Sequence, residues 1–180
     1  GDPIAKTPHI DQLAQEGMLF ERAYTTAGVC APSRSGIITG MYQTSIGTQH
    51  MRTNAQIDGL PTPYSSVPPY YVKTFTEYLR AAGYYCSNNA KEDYQFKTPI
   101  TAWDESSRTA HFRNRPDKNQ PFFGVSNLND THEGQIWGEP KDTDPSKVFV
   151  PPFYPDAIPI RKHIATLYDK ISVMDAKAGK

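Results

Sequence analysis

A cysteine and an arginine lie four residues apart at a predicted helix start, in the stretch Cys30-Ala31-Pro32-Ser33-Arg34. The first turn of a helix offers free backbone N–H groups and the positive end of the helix dipole, which favour an anion. A thiol in that place is expected to be reactive. The guanidinium of Arg34, about one turn on, could reach the same anion as a fork of donors. These features alone leave two interpretations open, a cysteine nucleophile at an anion site or a buried structural cysteine near a surface arginine.

The same stretch carries a longer motif, because Cys-x-Pro-Ser-Arg is followed after four residues by Thr39-Gly40. Six fixed positions at fixed spacing are specific, and this motif resembles the signature of the type I sulfatases. Residues 7–14 look like the helix that precedes the motif in that family, and residues 17–24 look like the strand between them. The resemblance implies that Cys30 is oxidised to formylglycine, whose hydrated aldehyde attacks the sulfur of a sulfate ester and later releases the sulfate.

The resemblance also assigns roles to individual residues. Cys30 would be the nucleophile precursor and, once modified, a metal ligand, and Arg34 would hold the aldehyde hydrate. Lys91 matches the family lysine that binds sulfate oxygens. His132 follows a predicted strand and would contact the sulfate or assist the leaving oxygen. Asp93 departs from the family, in which histidine is common at that place, and would orient Lys91 or bind a substrate hydroxyl.

Two residues of the long loop after the motif, His50 and Arg52, could also line the pocket. The remaining histidines are interpreted as incidental. They are His9, His111 and His163.

The resemblance implies a bound Ca²⁺ or Mg²⁺, a hard cation that takes about six oxygen ligands. Of the metal ligands that the family uses, only the modified Cys30 lies within this sequence. The acidic ligands would precede Gly1 and follow Lys180. Residues 1–180 are therefore expected to be one partial catalytic domain, incomplete at both ends. We expect this chain alone to bind the cation poorly and to be inactive.

Several elements must position these residues. Thr7-Pro8 and Gly17 bound a predicted helix, and Gly83 ends another that carries Phe75 and Leu79. A helix opened by Pro32 and a final helix after Ile160 complete the set. Strands are predicted over residues 18–24, 84–86 and 122–128, and long irregular segments over 41–72, 90–120 and 139–160. Alternating helices and strands predict an α/β fold, and the resemblance implies the three-layer αβα sheet domain of the alkaline-phosphatase-like superfamily.

Composition narrows the possible partners. The 180 residues have a formal net charge of zero, and they contain 16 prolines and 11 tyrosines. The absence of a basic run argues against nucleic acid and membrane surfaces, and no apolar stretch approaches the roughly 20 residues of a membrane span. Cys30 and Cys86 are expected to be unpaired thiols. Long aromatic loops favour a carbohydrate substrate.

From the family we expect a sulfated polysaccharide or glycosaminoglycan as substrate and a periplasmic or secreted location. A formylglycine-generating enzyme or an anaerobic sulfatase-maturing enzyme would be the partner that converts Cys30. Two alternatives stay open. One is a phosphonate or phosphate monoester hydrolase of the same superfamily, and the other is a non-catalytic sugar-binding homologue with unoxidised Cys30. A thiolate phosphatase is disfavoured because no loop of closely spaced glycines accompanies the cysteine.

Overall fold

A three-stranded parallel sheet occupies the middle of the chain. Its central strand β1 (Tyr85–Asn89) lies between β2 (Glu105–Ser106) and β3 (Phe122–Ser126). The register places Tyr85 opposite Phe122 and Asn89 opposite Ser126. Parallel strands require crossover connections rather than tight hairpins. The α/β fold predicted from the sequence is therefore confirmed.

The structure is a computed structural model that describes residues 2–53, 58–59 and 62–180. The chain divides into two compact units, which are described separately. The first comprises Gly1–Arg22 and Leu128–Lys180, and the second comprises Ala23–Asn127. That residues 1–180 form one partial catalytic domain stays a prediction.

The second unit contains the sheet and two helices, α2 (Cys30–Thr39) and α3 (Phe75–Ala81). Short 3₁₀ helices follow at Gln43–Ser45 and Phe112–Asn114. A buried apolar cluster joins helix α2 to β1 and to the loop after it. Its members are Ile38, Cys86, Tyr94, Phe96, Ala102 and Trp103, with Phe75, Leu79, Phe123 and Val125 packed against them. On the other face of the sheet, Phe112 stacks on Phe122 with ring centroids 4.3 Å apart.

The first unit contains helices α1 (Pro8–Glu16) and α4 (Ile158–Ala178) and a 3₁₀ turn at Glu133–Gln135. The buried carboxylate of Asp175 in α4 accepts hydrogen bonds from the backbone N–H groups of His9 at 3.2 Å and Ile10 at 2.9 Å. These amides belong to the first turn of α1, where no preceding carbonyl is available to them. A side chain distant in sequence thus caps the helix.

Three sequence-based boundaries are corrected by the structure. The strand predicted over residues 18–24 is wrong, because these residues form no strand and leave Met18 76% and Phe20 72% exposed. A strand without a hydrogen-bonded neighbour has no stability of its own. Helix α2 begins at Cys30, two residues before Pro32. The strand predicted over 122–128 ends at Ser126, and it alternates between exposed and half-buried residues.

The final helix begins at Ile158 rather than after Ile160, whereas the helix ends predicted from glycines agree with the structure. Gly17 follows α1, Gly40 follows α2 with φ +66°, and Gly83 follows α3 with φ +91°. Both cysteines are free thiols. In the described part of the chain, no helix has the length and hydropathy needed to cross a bilayer.

Candidate active site

Cys30 is the first residue of α2, directly after the extended residue Val29, and its side chain is half-buried. No side chain of the described residues caps this helix end. The backbone N–H of Ala31 instead points to the sulfur of Met51 at 3.5 Å. A thioether is a weak acceptor, so an anion could replace it at the amide. The structure thus places Cys30 at a helix N-terminus, as the sequence predicted.

Arg34 lies one turn after Cys30 and reaches across to the loop that follows β1. Its Nε donates to the carbonyl of Glu92 at 2.8 Å, its Nη2 donates to the carbonyl of Lys91, and its Nη1 donates to Oδ1 of Asn127 at 3.1 Å. A guanidinium has five N–H donors, and the described residues supply acceptors for three of them, which leaves two for another ligand. Arg34 therefore joins α2 to the segment that carries the predicted sulfate-binding lysine.

The carboxylate of Asp93 is held by two cations. Arg52 contacts it in a bidentate pair, with Nε–Oδ1 3.0 Å and Nη2–Oδ2 2.6 Å, and Nζ of Lys91 lies 3.5 Å from Oδ2. Burial alone would raise the pKa of Asp93, but the hydrogen bond and charge of Arg52 and the charge of Lys91 together lower it. Asp93 is thus an ionised anchor for Arg52 and Lys91.

Arg52 also lies near the cysteine. The pKa of Arg52 is raised chiefly by its hydrogen bond with Asp93 and, to a smaller extent, by the Cys30 side chain, while burial acts in the opposite direction. The thiol is therefore within electrostatic reach of this guanidinium. The second unit brings together three cationic side chains around Cys30 and its helix, namely Arg34, Lys91 and Arg52.

Strained backbone conformations occur in the two loops that carry Arg52 and Asp93. Among the described residues, the non-glycine residues with positive φ are Arg52 at +50°, Asp93 at +54° and Gln95 at +62°. These residues pair across the two loops, since the Gln95 side chain also bonds Thr53. Such conformations cost about 1 kcal/mol or more each and cluster at functional sites. The strained residues therefore mark these two loops as part of a candidate functional site.

An open pocket of about 460 Å³ adjoins the Arg52–Asp93 pair. Its walls are mainly polar and carry both signs of charge. The lining residues are Arg52, Ser65, Glu92, Asp93, Tyr94, Gln95, Phe96, Lys97 and Thr98. A polar, wide-mouthed pocket suits a hydroxyl-rich ligand better than an apolar one.

The two predicted site histidines have different settings. His50 in the second unit bonds the hydroxyl of Tyr64 through Nδ1 at 2.6 Å. His132 belongs to the first unit, where it is exposed six residues after β3 ends, and its Nδ1 accepts the N–H of Gly134 at 3.2 Å. The sequence placed His132 at a strand end, whereas the structure places it at the start of a 3₁₀ turn.

The described residues do not fit a hard divalent cation by themselves. No group of three or more Asp, Glu, His or Cys side chains within them could hold a metal ion. The carboxylate of Asp93 is already bound by Arg52 and Lys91. We therefore derive no chemical step through a metal.

Sequence reasoning missed the residues that position Arg34 and the residue that contacts the first-turn amide of α2. Asn127 contacts Arg34, and Asn88 contacts Asn127. Met51 contacts the backbone N–H of Ala31. One signal was available for the two asparagines. Asparagine is depleted in strands, yet Asn88 lies within the central strand, and Asn127 follows directly after β3.

One family model and several known proteins are similar to this chain. The model of the family described as Sulfatase matches residues 1–130. The chain is 42% identical to an ulvan-active sulfatase of Formosa agariphila, over 99% of this chain and 36% of that protein. It is 35% identical to the N-acetylgalactosamine-6-sulfatase of Homo sapiens, over 47% of this chain and 16% of that protein. The chain thus spans little more than a third of the first relative and a smaller part of the second.

Proposed function

This chain belongs to the sulfatase family, and on that premise we propose that the protein containing it hydrolyses sulfate esters at Cys30. The observation that carries the proposal is the concentration of positive charge around this residue. Three cations, Arg34, Lys91 and Arg52, are partly balanced there by the carboxylate of Asp93, which pairs with Arg52 and Lys91. The three positive charges still outnumber the negative charges when the carboxylate of Glu92 is counted with that of Asp93. A fixed cationic site is what a sulfate group and its transition state require.

Several residues around Cys30 would each contribute to binding the sulfate ester. Oxidation of Cys30 to formylglycine would supply the hydrated aldehyde that serves as the nucleophile. Arg34 has two free N–H donors for that group or for a sulfate oxygen, and Lys91 presents its ammonium from the adjoining loop. The first-turn amide of Ala31, now facing the weak acceptor Met51, is available to an anion. Together these donors would orient the ester with its sulfur next to residue 30.

His132 is proposed as the group that assists the leaving oxygen. Its Nδ1 accepts a backbone N–H, so in the neutral ring the proton lies on Nε2. A protonated Nε2 is the form that can donate to an alkoxide as it departs. Exposure of the ring leaves it accessible to a ligand.

For the substrate we propose a sulfated polysaccharide or glycosaminoglycan. The polar pocket beside Arg52 and Asp93 supports this proposal, because sugar hydroxyls need donors and acceptors on the wall. Asp93, Arg52 and His50 are the proposed substrate-binding residues. Two relatives named for ulvan and for N-acetylgalactosamine-6-sulfate agree with this class.

We further propose that Ca²⁺ or Mg²⁺ binds through carboxylates outside the described residues, with modified residue 30 as one ligand. A maturation enzyme would install formylglycine, and the location would be periplasmic or secreted. The activity would belong to a longer protein of which these 180 residues are a part, and this chain alone would be inactive.

The decisive experiment combines mass and kinetics. We would express the full-length protein with a maturation enzyme and measure the intact mass of the peptide containing Cys30. Conversion removes one sulfur and two hydrogens and adds one oxygen. Hydrolysis of an aryl sulfate and an aryl phosphate would then be compared in the same preparation. We expect conversion, a preference for the sulfate, and no turnover by the Cys30→Ala variant or by the 180-residue chain.

Matched controls decide between the alternatives. Cys86→Ala removes the other cysteine and should leave conversion and turnover unchanged. Preference for the phosphate ester would favour the phosphonate or phosphate hydrolase. An unmodified Cys30 together with sugar binding and no turnover would favour the non-catalytic homologue.

A further inference from the structure

A chain of side-chain amides lies behind Arg34, on the side of the sheet. The Nη1 group of Arg34 donates to Oδ1 of Asn127 at 3.1 Å. Asn127 follows β3 directly, and its backbone N–H donates to the carbonyl of Asn89 at 2.8 Å. The asparagine that receives Arg34 is therefore fixed to the central strand by its own backbone.

The amide of Asn127 has a defined orientation. Its Nδ2 donates to the carbonyl of Asn89 at 2.7 Å and to Oδ1 of Asn88 at 3.2 Å. Both of its N–H groups are thus used by acceptors on β1. The opposite orientation would place an oxygen against two oxygens, so Oδ1 must face Arg34.

Asn88 extends this chain through the strand. It is fully buried, with 0% of its surface exposed, and its Nδ2 donates to Oγ of Ser106 on β2 at 3.0 Å. Ser106 in turn donates to Oε1 of Glu92 at 2.7 Å. The backbone carbonyl of Glu92 accepts from Arg34, which closes a ring that begins and ends at the guanidinium.

The amide of Asn88 is buried in the middle strand of the sheet, and its free-energy cost there requires a physical explanation. Burying a polar group costs free energy unless its hydrogen bonds are made, and an apolar side chain at position 88 would pack against Val125 without that requirement. The register pairs Asn88 with Val125 on the same face of the sheet. The hydrogen-bonded ring that holds Arg34 thus includes an amide at position 88, where packing alone would favour an apolar side chain.

The charges of the partners differ sharply between the two arginines near Cys30. All three acceptors of Arg34 are uncharged, two backbone carbonyls and one amide oxygen. In the described part of the chain no carboxylate pairs with it, whereas Arg52 is paired with Asp93. A neutral partner fixes a guanidinium without cancelling its charge.

We infer that Asn127 and Asn88 are positioning residues that hold Arg34 in place while leaving its full charge for an anionic group at residue 30. The inference rests on the proposed function, because that group is the sulfate of the substrate. Asn127 sets the rotamer of Arg34 directly. Asn88 acts through Asn127 by fixing which end of its amide faces the arginine.

The test uses the full-length matured protein and two variants that separate charge from position. Asn127→Asp keeps an acceptor facing Arg34 but makes it part of a carboxylate, and it replaces the Nδ2 donor to Asn88 and Asn89 with an oxygen. We expect it to raise KM for an aryl sulfate and Kd for inorganic sulfate by about tenfold or more. The melting temperature should fall, because the second carboxylate oxygen faces the acceptors of Asn88 and Asn89, so both constants are measured well below it. Asn119→Asp, at an exposed loop residue, controls for the change in net charge and should alter neither constant.

The second variant, Asn88→Leu, keeps the number and branching of the side-chain heavy atoms at the buried site and removes the anchor of the Asn127 amide. We expect kcat to fall by about tenfold, an effect typical of imperfect positioning, with KM changed less. In the wild type the Nε–H signal of Arg34 in nitrogen NMR should be slow to exchange with water. In this variant it should exchange faster.

The outcomes separate this inference from the proposed function. Unchanged kcat, KM, sulfate affinity and Nε–H exchange in both variants would overturn the positioning role. If Asn88→Leu fails to fold, Asn127→Asp alone decides through its sulfate affinity. If the wild type turns over no sulfate ester, the proposed function fails. Loss of sulfate binding in Asn127→Asp together with faster Nε–H exchange in Asn88→Leu would then still support the role of the two asparagines.

Discussion

Arg52 and Asp93 form a bidentate ion pair although both residues have a left-handed backbone conformation, with φ +50° and +54°. The two residues are 41 positions apart and belong to different loops. Left-handed φ is uncommon outside glycine, so the ion pair persists against a conformational cost on both sides. The pair fixes Arg52, one of the three cations of the candidate site.

We predict that Asp93→Asn lowers kcat for a sulfate ester by about tenfold without raising KM. The substitution leaves the site more positive, which favours anion binding, but it releases Arg52 and Lys91 from their common anchor. Steady-state kinetics of the matured full-length protein would measure both constants. Asp104→Asn is the matched control, because it breaks a different ion pair of the same unit, with Arg80 at 2.8 Å. An unchanged kcat in Asp93→Asn would mean that the pair is only structural.

The same pair predicts a pH dependence of stability. The pKa of Asp93 is lowered in the folded protein from its ordinary 3.8, so its contribution to stability is complete above that value and is lost as the pH falls through the folded pKa. The difference in unfolding free energy between wild type and Asp93→Asn should therefore be constant near neutrality and shrink below about pH 4. Urea unfolding at a series of pH values would measure it. A difference that grows in acid would contradict the assignment.

Gly40 terminates the helix that carries Cys30 and Arg34, with φ +66° and nothing within 4 Å of an added Cβ. The penalty for a side chain there is therefore one of backbone conformation alone. We predict that Gly40→Ala destabilises the protein by about 1–2 kcal/mol, and that Gly40→Asn does so less. Gly28→Ala is the control, since Gly28 also has open space but no positive φ. Equal losses in the two alanine variants, measured by urea unfolding, would argue against the left-handed cap.

Asp175 offers a second test of a helix end. Its carboxylate accepts the amides of His9 and Ile10, and we expect Asp175→Ala to cost about 1–2 kcal/mol and to speed hydrogen exchange at those two amides. Asp11→Ala is the control, because it removes an acid from the same first turn without touching either amide. Exchange rates at His9 and Ile10 that match the wild type in Asp175→Ala would show that the cap does not stabilise α1.

The sequence predicted the elements whose signals are local. The Cys-x-Pro-Ser-Arg motif located helix α2, and glycines located the ends of α1, α2 and α3, because each depends on a few adjacent residues. The Arg52–Asp93 pair was not predicted, since two residues in distant irregular loops carry no periodicity that relates them. The strand expected at 18–24 was wrong for a similar reason. Its bulky side chains suit a strand, but a strand also requires a neighbour that local pattern does not specify.

The two cysteines should differ strongly in reactivity before maturation. Cys30 is half-buried at a helix start, whereas Cys86 is fully buried in the core and burial raises its pKa to about 11. Raising the pKa from 9.0 to about 11 lowers the thiolate fraction near neutrality about 100-fold, and the thiolate is the form that reacts. Iodoacetamide should therefore alkylate Cys30 in the native chain and Cys86 only after unfolding, as peptide mass spectrometry would show. The Cys30→Ala variant should remain unlabelled under native conditions. Rapid native labelling of Cys86 would mean that the core around β1 opens far more readily than its packing indicates.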